Sequence, residues 1–407
     1  MNTLATAAGL SFAYLRDRLF ATSLNMLLLS LGIATVVALT LVLSQAEERM
    51  EKDAAGIDLV IGAKGSPMQL VLSSVFQVDV PTGNVKVGDA APIIAEPMVK
   101  RAIPLALGDS FRGYRIVGTN PDYAALYGAS PAQGAFWKQP MEAVLGAEVA
   151  RASGLGLGDR FTGSHGLTES GGSHGEHPFT VVGILKPTGS VIDRIVLTSV
   201  ASVWQVHDHD ADEHHHEGID HAHDADMEVT AYLIQYASPL AAVSFPRMVN
   251  ASSTMQAASP AMESARLFQL VGVGVTALKA LAGVMVLAAA LGIFIGLTVA
   301  LDERRGDLAL LRVLGAAPSM VFLTTLLQGL WLGVTGVILG LLLGHAGAEW
   351  VGARYAESQR VALGGWVWVR EEWWIVLTAL CLALSAALIP AWRAYREAAP
   401  ALLARRH

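Results

Sequence analysis

Four long apolar segments dominate the pattern of hydrophobic and polar positions along the chain. They cover residues 19–46, 267–300, 319–347 and 373–392. Each approaches or exceeds the roughly 20 apolar residues that a helix needs to cross about 30 Å of hydrocarbon. The pattern therefore predicts four transmembrane helices, with the mostly polar residues 47–266 forming a domain between the first helix and the second.

The first apolar segment has a second interpretation, a cleavable secretory signal peptide. Arg16 and Arg18 precede its core, and the small residues Ser44 and Ala46 resemble a cleavage site. However, the apolar core, residues 26–43, is longer than the roughly 7 to 15 apolar residues of a signal peptide. We therefore expect an uncleaved membrane anchor.

Positive charges near the ends of the apolar segments predict the topology. Four crossings would place both termini on the same side of the membrane. Lys and Arg are modestly enriched on that side, in residues 1–18, 301–318 and 393–407. Because loops rich in these residues stay in the cytoplasm, we expect these three segments to be cytoplasmic, the first of them as an amphipathic segment. Residues 47–266 and the short loop 348–372 would then be periplasmic.

The segment 47–266 mixes strand and helix signals. Short apolar runs bounded by turn residues predict strands that begin at Asp58, Arg115, Phe179 and Arg194. Further patterns predict helices at residues 143–153 and 199–206, and a strand end followed by a helix within residues 238–265. We therefore expect an α+β extracytoplasmic domain inserted between helices one and two of an α-helical membrane domain of four transmembrane helices.

Composition supports a membrane protein and narrows its chemistry. Hydrophobic residues make up 53% of the chain and charged residues 15%, which is too apolar for a soluble chain of this length. The net charge of -7 gives no reason to expect nucleic acid as a partner. The one cysteine, Cys381, lies in the fourth apolar segment, so the external domain can form no internal disulfide and must be held by its own core.

Two short motifs resemble catalytic signatures, and neither meets the requirements of its class. In the run that begins at Gly62, Lys64 precedes the second glycine, and the chain contains no Gly-Lys-Ser or Gly-Lys-Thr, so a phosphate loop is not predicted. Ser173 has the Gly-x-Ser-x-Gly spacing of a hydrolase elbow, but it lies in a Gly/Ser-rich stretch without a preceding strand or a following helix. We therefore predict neither nucleotide binding nor catalysis by this chain.

Residues 207–228 contain a high density of metal-ligating side chains. Nine acidic residues alternate there with seven histidines, which are His207, His209, His214, His215, His216, His221 and His223. Imidazole and carboxylate suit Zn²⁺, Ni²⁺ or Cu²⁺, so we expect a His-rich loop that binds Zn²⁺ or another divalent transition metal loosely. A polar surface insertion without a role is the alternative. A weaker cluster comprises His165, His174 and His177.

Residues 301–318, between the second and third apolar segments, combine charges with a regular apolar pattern. Leu308, Leu311 and Leu314 recur at every third position and would share one helix face. Gly315 would end this helix, and Pro318 follows soon after. We expect a short amphipathic helix at the membrane surface that docks in a groove of a soluble partner.

This segment resembles the signature that follows the second membrane helix of the FtsX/MacB/LolC-like permeases, the mechanotransmitting class of ABC systems. The layout of the chain is similar as well, with one helix, a large external domain and three further helices. Residues 144–150, 154–159 and 181–185 resemble parts of the external core domain of that family. The chain departs from the family pattern at Asp307 and Gln328, and the His-rich segment is not a family feature.

The resemblance implies a multi-pass protein of the bacterial inner membrane that pairs as a homodimer or heterodimer. It implies a separate cytoplasmic ABC ATPase, bound through residues Glu303, Arg304, Arg305, Asp307, Leu308, Leu311, Arg312 and Gly315. Closure of the ATPases would move the external domain through the first two membrane helices. Membrane lipid and a periplasmic protein are further expected partners, and no cofactor is expected in this chain beyond the metal of the His-rich loop.

Small residues in the apolar segments predict close helix contacts. Glycines recur at three- or four-residue spacing in two of these segments, a pattern that lets helix backbones approach closely. These glycines are Gly292, Gly296, Gly329, Gly333, Gly336, Gly340 and Gly344. The spacing leaves open whether the contacts form within one chain or between subunits.

Three function classes follow from the sequence. The favoured class is an ABC permease subunit that acts on an extracytoplasmic cargo such as a lipoprotein, a peptide or a metal-linked compound. The second is a regulator of an external cell-wall hydrolase that transports nothing, as some FtsX-like proteins are. A membrane-bound enzyme is disfavoured because the motifs supply no nucleophile with a base and an orienting group.

Overall fold

The computed structural model describes residues 3–165, 178–212, 227–304, 306, 310, 312, 313, 315–359 and 364–396. The chain forms two compact units. The membrane unit comprises Met1–Ala46 and Leu270–His407, and the external unit comprises Glu47–Gln269.

Eleven α-helices and thirteen strands are assigned among the described residues. The helices are α1 Thr3–Arg16, α2 Leu19–Ala54, α3 Pro67–Ser74, α4 Val87–Ile94, α5 Pro121–Leu126, α6 Ala147–Ser153, α7 Val200–Asp212, α8 Ala241–Ser252, α9 Pro260–Glu303, α10 Pro318–Gln359 and α11 Glu372–Arg396. The strands are β1 Leu59–Ala63, β2 Val85–Lys86, β3 Val99–Phe111, β4 Tyr114–Thr119, β5 Pro131–Gly134, β6 Glu142–Leu145, β7 Arg160–Phe161, β8 Ser164–His165, β9 Phe179–Leu185, β10 Val196–Ser199, β11 Glu228–Val229, β12 Ala231–Tyr236 and β13 Met255–Ala258.

Four of these helices, α2, α9, α10 and α11, are long and apolar enough to cross a membrane. They contain the four apolar segments, so the predicted fold class, four membrane helices with an inserted domain, is confirmed. Helices α2 and α9 contribute residues to both units.

All four membrane helices are longer than the apolar segments within them. Helix α2 continues to Ala54, and α9 begins at Pro260. Helix α10 continues to Gln359, so the prediction of a loop over 348–372 is wrong in its first half. Strong helix formers such as Glu, Ala and Arg follow the apolar stretch in both α2 and α10, and they extend the helix beyond it.

Glycines set the packing of the membrane unit. A Cβ atom placed on Gly340 of α10 would lie 2.7 Å from Cβ of Ile33 and 3.0 Å from the Ser30 carbonyl of α2. At Gly344 it would lie 2.8 Å from Cβ of Val37. Because these separations are too short for carbon atoms, only glycine permits the observed approach of α10 to α2.

Glycine also allows close packing between the other helices of this unit. A Cβ on Gly32 of α2 would lie 2.7 Å from Val286 of α9, and one on Gly333 of α10 would lie 2.8 Å from Ala383 of α11. Helix α2 thus packs on both α9 and α10, while α10 also packs on α11.

One continuous sheet organises the external unit. Its strand order is β13-β1-β12-β3-β4-β10-β6-β9-β5, with β7 beside β9 and β8 beside β3. Two neighbouring pairs, β10 with β4 and β6 with β9, are parallel, and the other pairs along the path are antiparallel. Strands β2 and β11 form a separate antiparallel pair.

The apolar pattern of the strands explains the position of the core. Alternate residues of β9 are buried, whereas every residue of β4 is buried. Large side chains that are completely inaccessible, such as Tyr123 and Phe245, fill separate hydrophobic clusters. The unit therefore builds a core without a disulfide, as the sequence required.

Two secondary-structure predictions for the external unit are wrong in part. Residues 143–145 form the end of β6, and the predicted helix begins only at Ala147. A Cβ on Gly146, which separates the two elements, would collide with the carbonyl oxygens of Ile192 and Asp193. Within residues 238–265, helix α8 and strand β13 precede α9, because Phe245 and Val249 of α8 are buried against the sheet.

We predict that Gly340→Val destabilises the full-length protein, since the added carbons overlap Ile33 and the Ser30 carbonyl. Overpacking of this kind costs about 1–3 kcal/mol. Thermal unfolding in detergent micelles measures the effect as a lowered Tm. Gly347→Val is the matched control, because a Cβ on Gly347 meets nothing within 4 Å. Equal melting temperatures for the two variants would contradict the packing of α2 on α10.

Candidate functional site

Ion pairs join the end of α9 to the turn between α1 and α2 within the membrane unit. Arg18 contacts the carboxylate of Glu303, and Arg304 donates to Asp17 Oδ2 at 2.8 Å. The Arg304 guanidinium carbon also lies 3.9 Å from the ring centre of Tyr14. Asp17 and Arg18, just before α2, therefore attach the start of the predicted coupling segment, Glu303 and Arg304, by ion pairs.

The predicted coupling segment lies partly outside the described residues. Glu303, Arg304, Arg312 and Gly315 are described, whereas Arg305, Asp307, Leu308 and Leu311 are not. Arg312 donates to the Tyr395 carbonyl at 3.1 Å. Gly315 has a φ of 97° and donates its N–H to the Arg312 carbonyl at 3.1 Å, a left-handed conformation that favours glycine where a helix ends.

Two apolar side chains of this segment face solvent. Leu310 is 61% exposed and Val313 is 66% exposed, and their spacing of three places them near one another on a helix. Exposed apolar groups flanked by charges suit a docking surface for another protein. The sequence pattern singled out Leu308 and Leu311 for this purpose, and their role stays a prediction.

A small cavity lies behind the ion pairs. Its volume is about 30 Å³, and Tyr14, Arg304, Thr324 and Gln328 are among the residues that line it. Gln328 is 7% exposed. Most of the surface that lines the cavity is apolar.

All seven glycines predicted to pack helices are described. Gly329 and Gly333 of α10 face Ala387 and Ala383 of α11, and the other three glycines of α10 face α2. A Cβ on Gly292 of α9 would collide with Asn25 Oδ1 of α2, and one on Gly296 would lie 3.9 Å from Asn25 Nδ2. These contacts form between helices of one chain.

A buried ion pair holds the C-terminal end of α2 in the external unit. Asp53 accepts from Arg194 at 2.9 Å and from the Val191 N–H at 2.6 Å. Its side chain is 6% exposed and that of Arg194 is 14% exposed. Tyr127 donates its hydroxyl to the Asp53 carbonyl at 2.8 Å. We call Asp53, Arg194 and Tyr127 the α2 joint.

Glu148 adds a second carboxylate to the surroundings of Arg194. Burial raises the pKa of Glu148, and the guanidinium of Arg194 acts in the opposite direction by stabilising the charged form. Arg194 therefore lies among acidic groups contributed by α2 and α6, which are far apart in sequence.

A groove runs along the external unit between α8, β13 and the start of α9. Its volume is about 1140 Å³, and its lining is largely apolar, with Tyr236, Val243 and Met262. Asn250 hydrogen-bonds both backbone groups of Ala257, with its Oδ1 2.7 Å from the N–H and its Nδ2 3.3 Å from the carbonyl. This amide occupies the free edge of the sheet, which blocks the pairing of a further strand there.

The prediction of a loop over 207–228 is wrong at both ends. His207 and His209 lie in α7, which extends to Asp212, and Glu228 belongs to β11. The helical pattern of α7 continues through Val206 into the charged residues. His214, His215, His216, His221 and His223 lie outside the described residues, as do His174 and His177, whereas His165 lies in β8. Within the described ranges, no group of three potential metal ligands is brought together.

Sequence reasoning missed two polar clusters that the structure assembles. The α2 joint connects residues 141 positions apart, which no local pattern reveals. His345 and Glu372 form a second buried pair, in the membrane unit. The presence of a histidine in an apolar segment was an available signal, because ionisable groups at such positions are rare and functional.

Two families of proteins match parts of this chain. Residues 22–220 match the profile of the MacB-like periplasmic core domain, and residues 279–399 match that of the FtsX-like permease C-terminal region. Among curated proteins, none matches the chain.

Two solved structures are similar to parts of this chain at low identity. The periplasmic region of MacB from Actinobacillus actinomycetemcomitans is 12% identical, with a TM-score of 0.34, over 53% of this chain and 95% of that one. The extracellular domain of the noncanonic ABC-type transporter YknZ from Gram-positive bacteria is 12% identical, with a TM-score of 0.30, over 49% and 98%. The two family profiles cover most of the first membrane helix and of the external unit, and then most of the remaining membrane helices, in the order that the structure shows. The chain belongs to the FtsX/MacB-like permease family.

Proposed function

We propose that this chain is the permease subunit of an ABC transporter and couples ATP hydrolysis by a separate ATPase to movements of its external unit. The observation that carries the proposal is that α2 and α9 contribute residues to both units. A helix that belongs to two compact units is a mechanical connection between them, because its backbone hydrogen bonds resist bending. The cargo is extracytoplasmic, such as a lipoprotein, a peptide or a metal-linked compound.

The ATPase binds the segment between α9 and α10. The exposed Leu310 and Val313, with Leu308 and Leu311, supply apolar contact area. The ion pairs of Glu303 and Arg304 with the turn between α1 and α2 attach the start of this segment to the N-terminal part of the membrane unit. Motion imposed on the segment is therefore passed to α9 and to the turn between α1 and α2.

Close packing carries the motion across the membrane unit. Helix α2 contacts α9 at Gly32 and α10 at Gly340 with backbone separations that leave no free space. Closely packed interiors transmit displacement because they are not continuously deformable. A shift of α9 thus moves α2 in concert.

The α2 joint transfers the motion of α2 to the external unit. Its buried ion pair and the Tyr127 hydrogen bond fasten the last turn of α2 to a short 3-10 helix, Val191–Arg194. That helix immediately precedes β10, a central strand of the sheet. Displacement of α2 therefore reaches the sheet directly.

The proposed topology places both termini and the coupling segment in the cytoplasm, with the external unit in the periplasm. Arg393 and Arg396 in the last turn of α11, with Arg304 at the end of α9, support this orientation by the positive-inside rule. ATP hydrolysis takes place in the partner subunit, and the permease acts as a dimer with a second permease subunit. A periplasmic partner protein and membrane lipid complete the proposed assembly.

Metal responsiveness is proposed for the segment that follows α7. Its histidines and acidic residues supply nitrogen and oxygen ligands of the kind that suits Zn²⁺. Because this segment connects α7 to β11, bound metal would act on the external unit and not on the membrane helices.

Substitution of both Leu308 and Leu311 by Asp is expected to abolish co-purification of the ATPase with the full-length permease, because two charges replace apolar contacts in the docking surface. Pull-down of the tagged permease measures the bound ATPase. Leu240→Asp, at a leucine of the external unit that is 80% exposed, should leave binding unchanged. Undiminished ATPase binding by the double variant would contradict the coupling role.

For the α2 joint, Asp53→Leu alone should lower the free energy of unfolding of the external unit by about 3–5 kcal/mol, because it leaves the buried Arg194 without its partner. The double variant Asp53→Leu with Arg194→Met should lose less than the single variant, since no unpaired charge remains. Chemical denaturation of Asp53→Leu, Arg194→Met and the double variant measures the three losses. A double variant that loses the sum of the two single effects would show that the pair is not coupled.

Deletion of residues 208–226 is expected to remove Zn²⁺ binding from the external unit while leaving its fold intact. Calorimetric titration of residues 47–266 with and without this segment measures the binding, and circular dichroism checks the fold. We expect micromolar or tighter affinity that the deletion abolishes. Equal heats of Zn²⁺ binding for the two proteins would contradict metal responsiveness of this segment. The proposed cargo would then be a lipoprotein or a peptide.

A further inference from the structure

Side chains from two helices hold the segment that begins at Gly364 in the membrane unit. Gln45 of α2 accepts the Gly364 N–H at 3.0 Å and donates to the Gly364 carbonyl at 2.8 Å. Glu349 of α10 accepts the Gly365 N–H at 2.6 Å. His345, one turn earlier on α10, lies with Nδ1 2.6 Å from the Gly365 carbonyl oxygen. Both glycine peptide groups are therefore fully occupied by side chains.

His345 also contacts a buried carboxyl group. Its Nε2 lies 3.1 Å from Glu372 Oε2 at the start of α11. Glu372 is completely inaccessible, and its Oε1 accepts the Val369 N–H at 3.1 Å. Trp366 and Trp368 cover the imidazole, with ring centres 5.6 and 6.1 Å away and nearly parallel planes. The contact between His345 and Glu372 is thus shielded from solvent.

The hydrogen-bonding capacities of His345, the Gly365 carbonyl and Glu372 determine how many protons this contact holds. A carbonyl oxygen only accepts, so Nδ1 of His345 carries a hydrogen. If Glu372 is ionised, it also only accepts, and Nε2 must carry a second hydrogen, which makes the ring an imidazolium. If the ring is neutral, Nε2 is an acceptor and Glu372 must be the protonated acid. In both cases the pair holds one proton more than a neutral imidazole with a carboxylate.

We propose that His345 and Glu372 form a proton-binding site whose bound proton fastens residues 364–371 to α10. Without that proton, a lone pair of Nε2 would face a carboxylate oxygen in a buried position, which costs the full penalty of an unsatisfied contact. The segment then releases when the proton leaves. This inference does not depend on the proposed transport function.

The remaining charged groups around the site do not supply this proton. Glu349 already accepts the Gly365 N–H and lies on an exposed part of α10. Arg370 and Glu371 of the segment are exposed. The residue contributed by α2, Gln45, is uncharged. Glu372 is the carboxyl group that contacts the imidazole among the described residues.

Glycine at position 365 makes this arrangement possible. A Cβ there would lie 2.5 Å from both the backbone nitrogen and Cβ of Glu349. At Gly364 the nearest atom to an added Cβ is 3.5 Å away, which is an ordinary contact. Gly365→Ala thus displaces the segment, whereas Gly364→Ala leaves it in place.

The proton can be detected directly in the full-length protein in nanodiscs, at a pH at which residues 364–371 are protected from hydrogen exchange. Nitrogen-15 NMR of histidine-labelled protein, compared with His345→Gln, reports an imidazolium. The infrared band of a protonated carboxylic acid, compared with Glu372→Gln, reports the acid. We expect one of the two signals, lost in the corresponding variant. Absence of both would overturn the inference.

Hydrogen exchange of the backbone amides of residues 364–371 tests whether the proton holds this segment on α10. The rates are corrected for the intrinsic pH dependence of amide exchange. In Glu372→Gln, the amide carbonyl accepts the Val369 N–H, and the amide N–H donates to a neutral His345. Protection of residues 364–371 from exchange in this variant should therefore be independent of pH. Wild-type protection should fall on alkalinisation to the level of Gly365→Ala, with Gly364→Ala behaving as wild type. Identical pH profiles for wild type and Glu372→Gln would overturn the role of the proton.

Discussion

The structure depends on the requirement that apolar helices pack without a hydrophobic driving force between them. In a membrane the lipid is as apolar as the side chains, so close van der Waals contact must hold the helices together. The glycines of α10 meet this requirement by letting Leu29, Ile33 and Val37 of α2 lie directly against its backbone. Since α2 also packs on α9 through Gly32, both helices that continue into the external unit are held in one tightly packed group.

Polar groups are concentrated where this packed group ends. The pairs of Arg18 with Glu303 and of Arg304 with Asp17 lie where α9 ends, and the α2 joint lies where α2 ends. His345 and Glu372 hold the segment that leads into α11. Apolar packing thus determines the positions of the helices, whereas directional polar contacts determine what each helix end is attached to.

Local patterns were sufficient to predict the membrane helices and several strands. A long run of apolar residues predicts a membrane helix without reference to any other part of the chain. The alternation of buried residues in β9 likewise predicts a strand from local sequence. The mistakes arose where neighbouring elements compete, as at Gly146, where the prediction merged the end of β6 with α6. The partners of Asp53 and His345 were not predictable, because ion pairs between residues distant in sequence are set by the fold and leave no periodic trace.

The coupling of the two units through α2 and α9 is tested most directly by a distance between them. Spin labels on cysteines at the exposed positions Lys138 and Glu371, after replacement of the native Cys381, report this distance by double electron–electron resonance. The coupling predicts that the distance distribution shifts when the bound ATPase is trapped with ATP, and that Leu308→Asp with Leu311→Asp abolishes the shift. An unchanged distribution in a complex that hydrolyses ATP would contradict it.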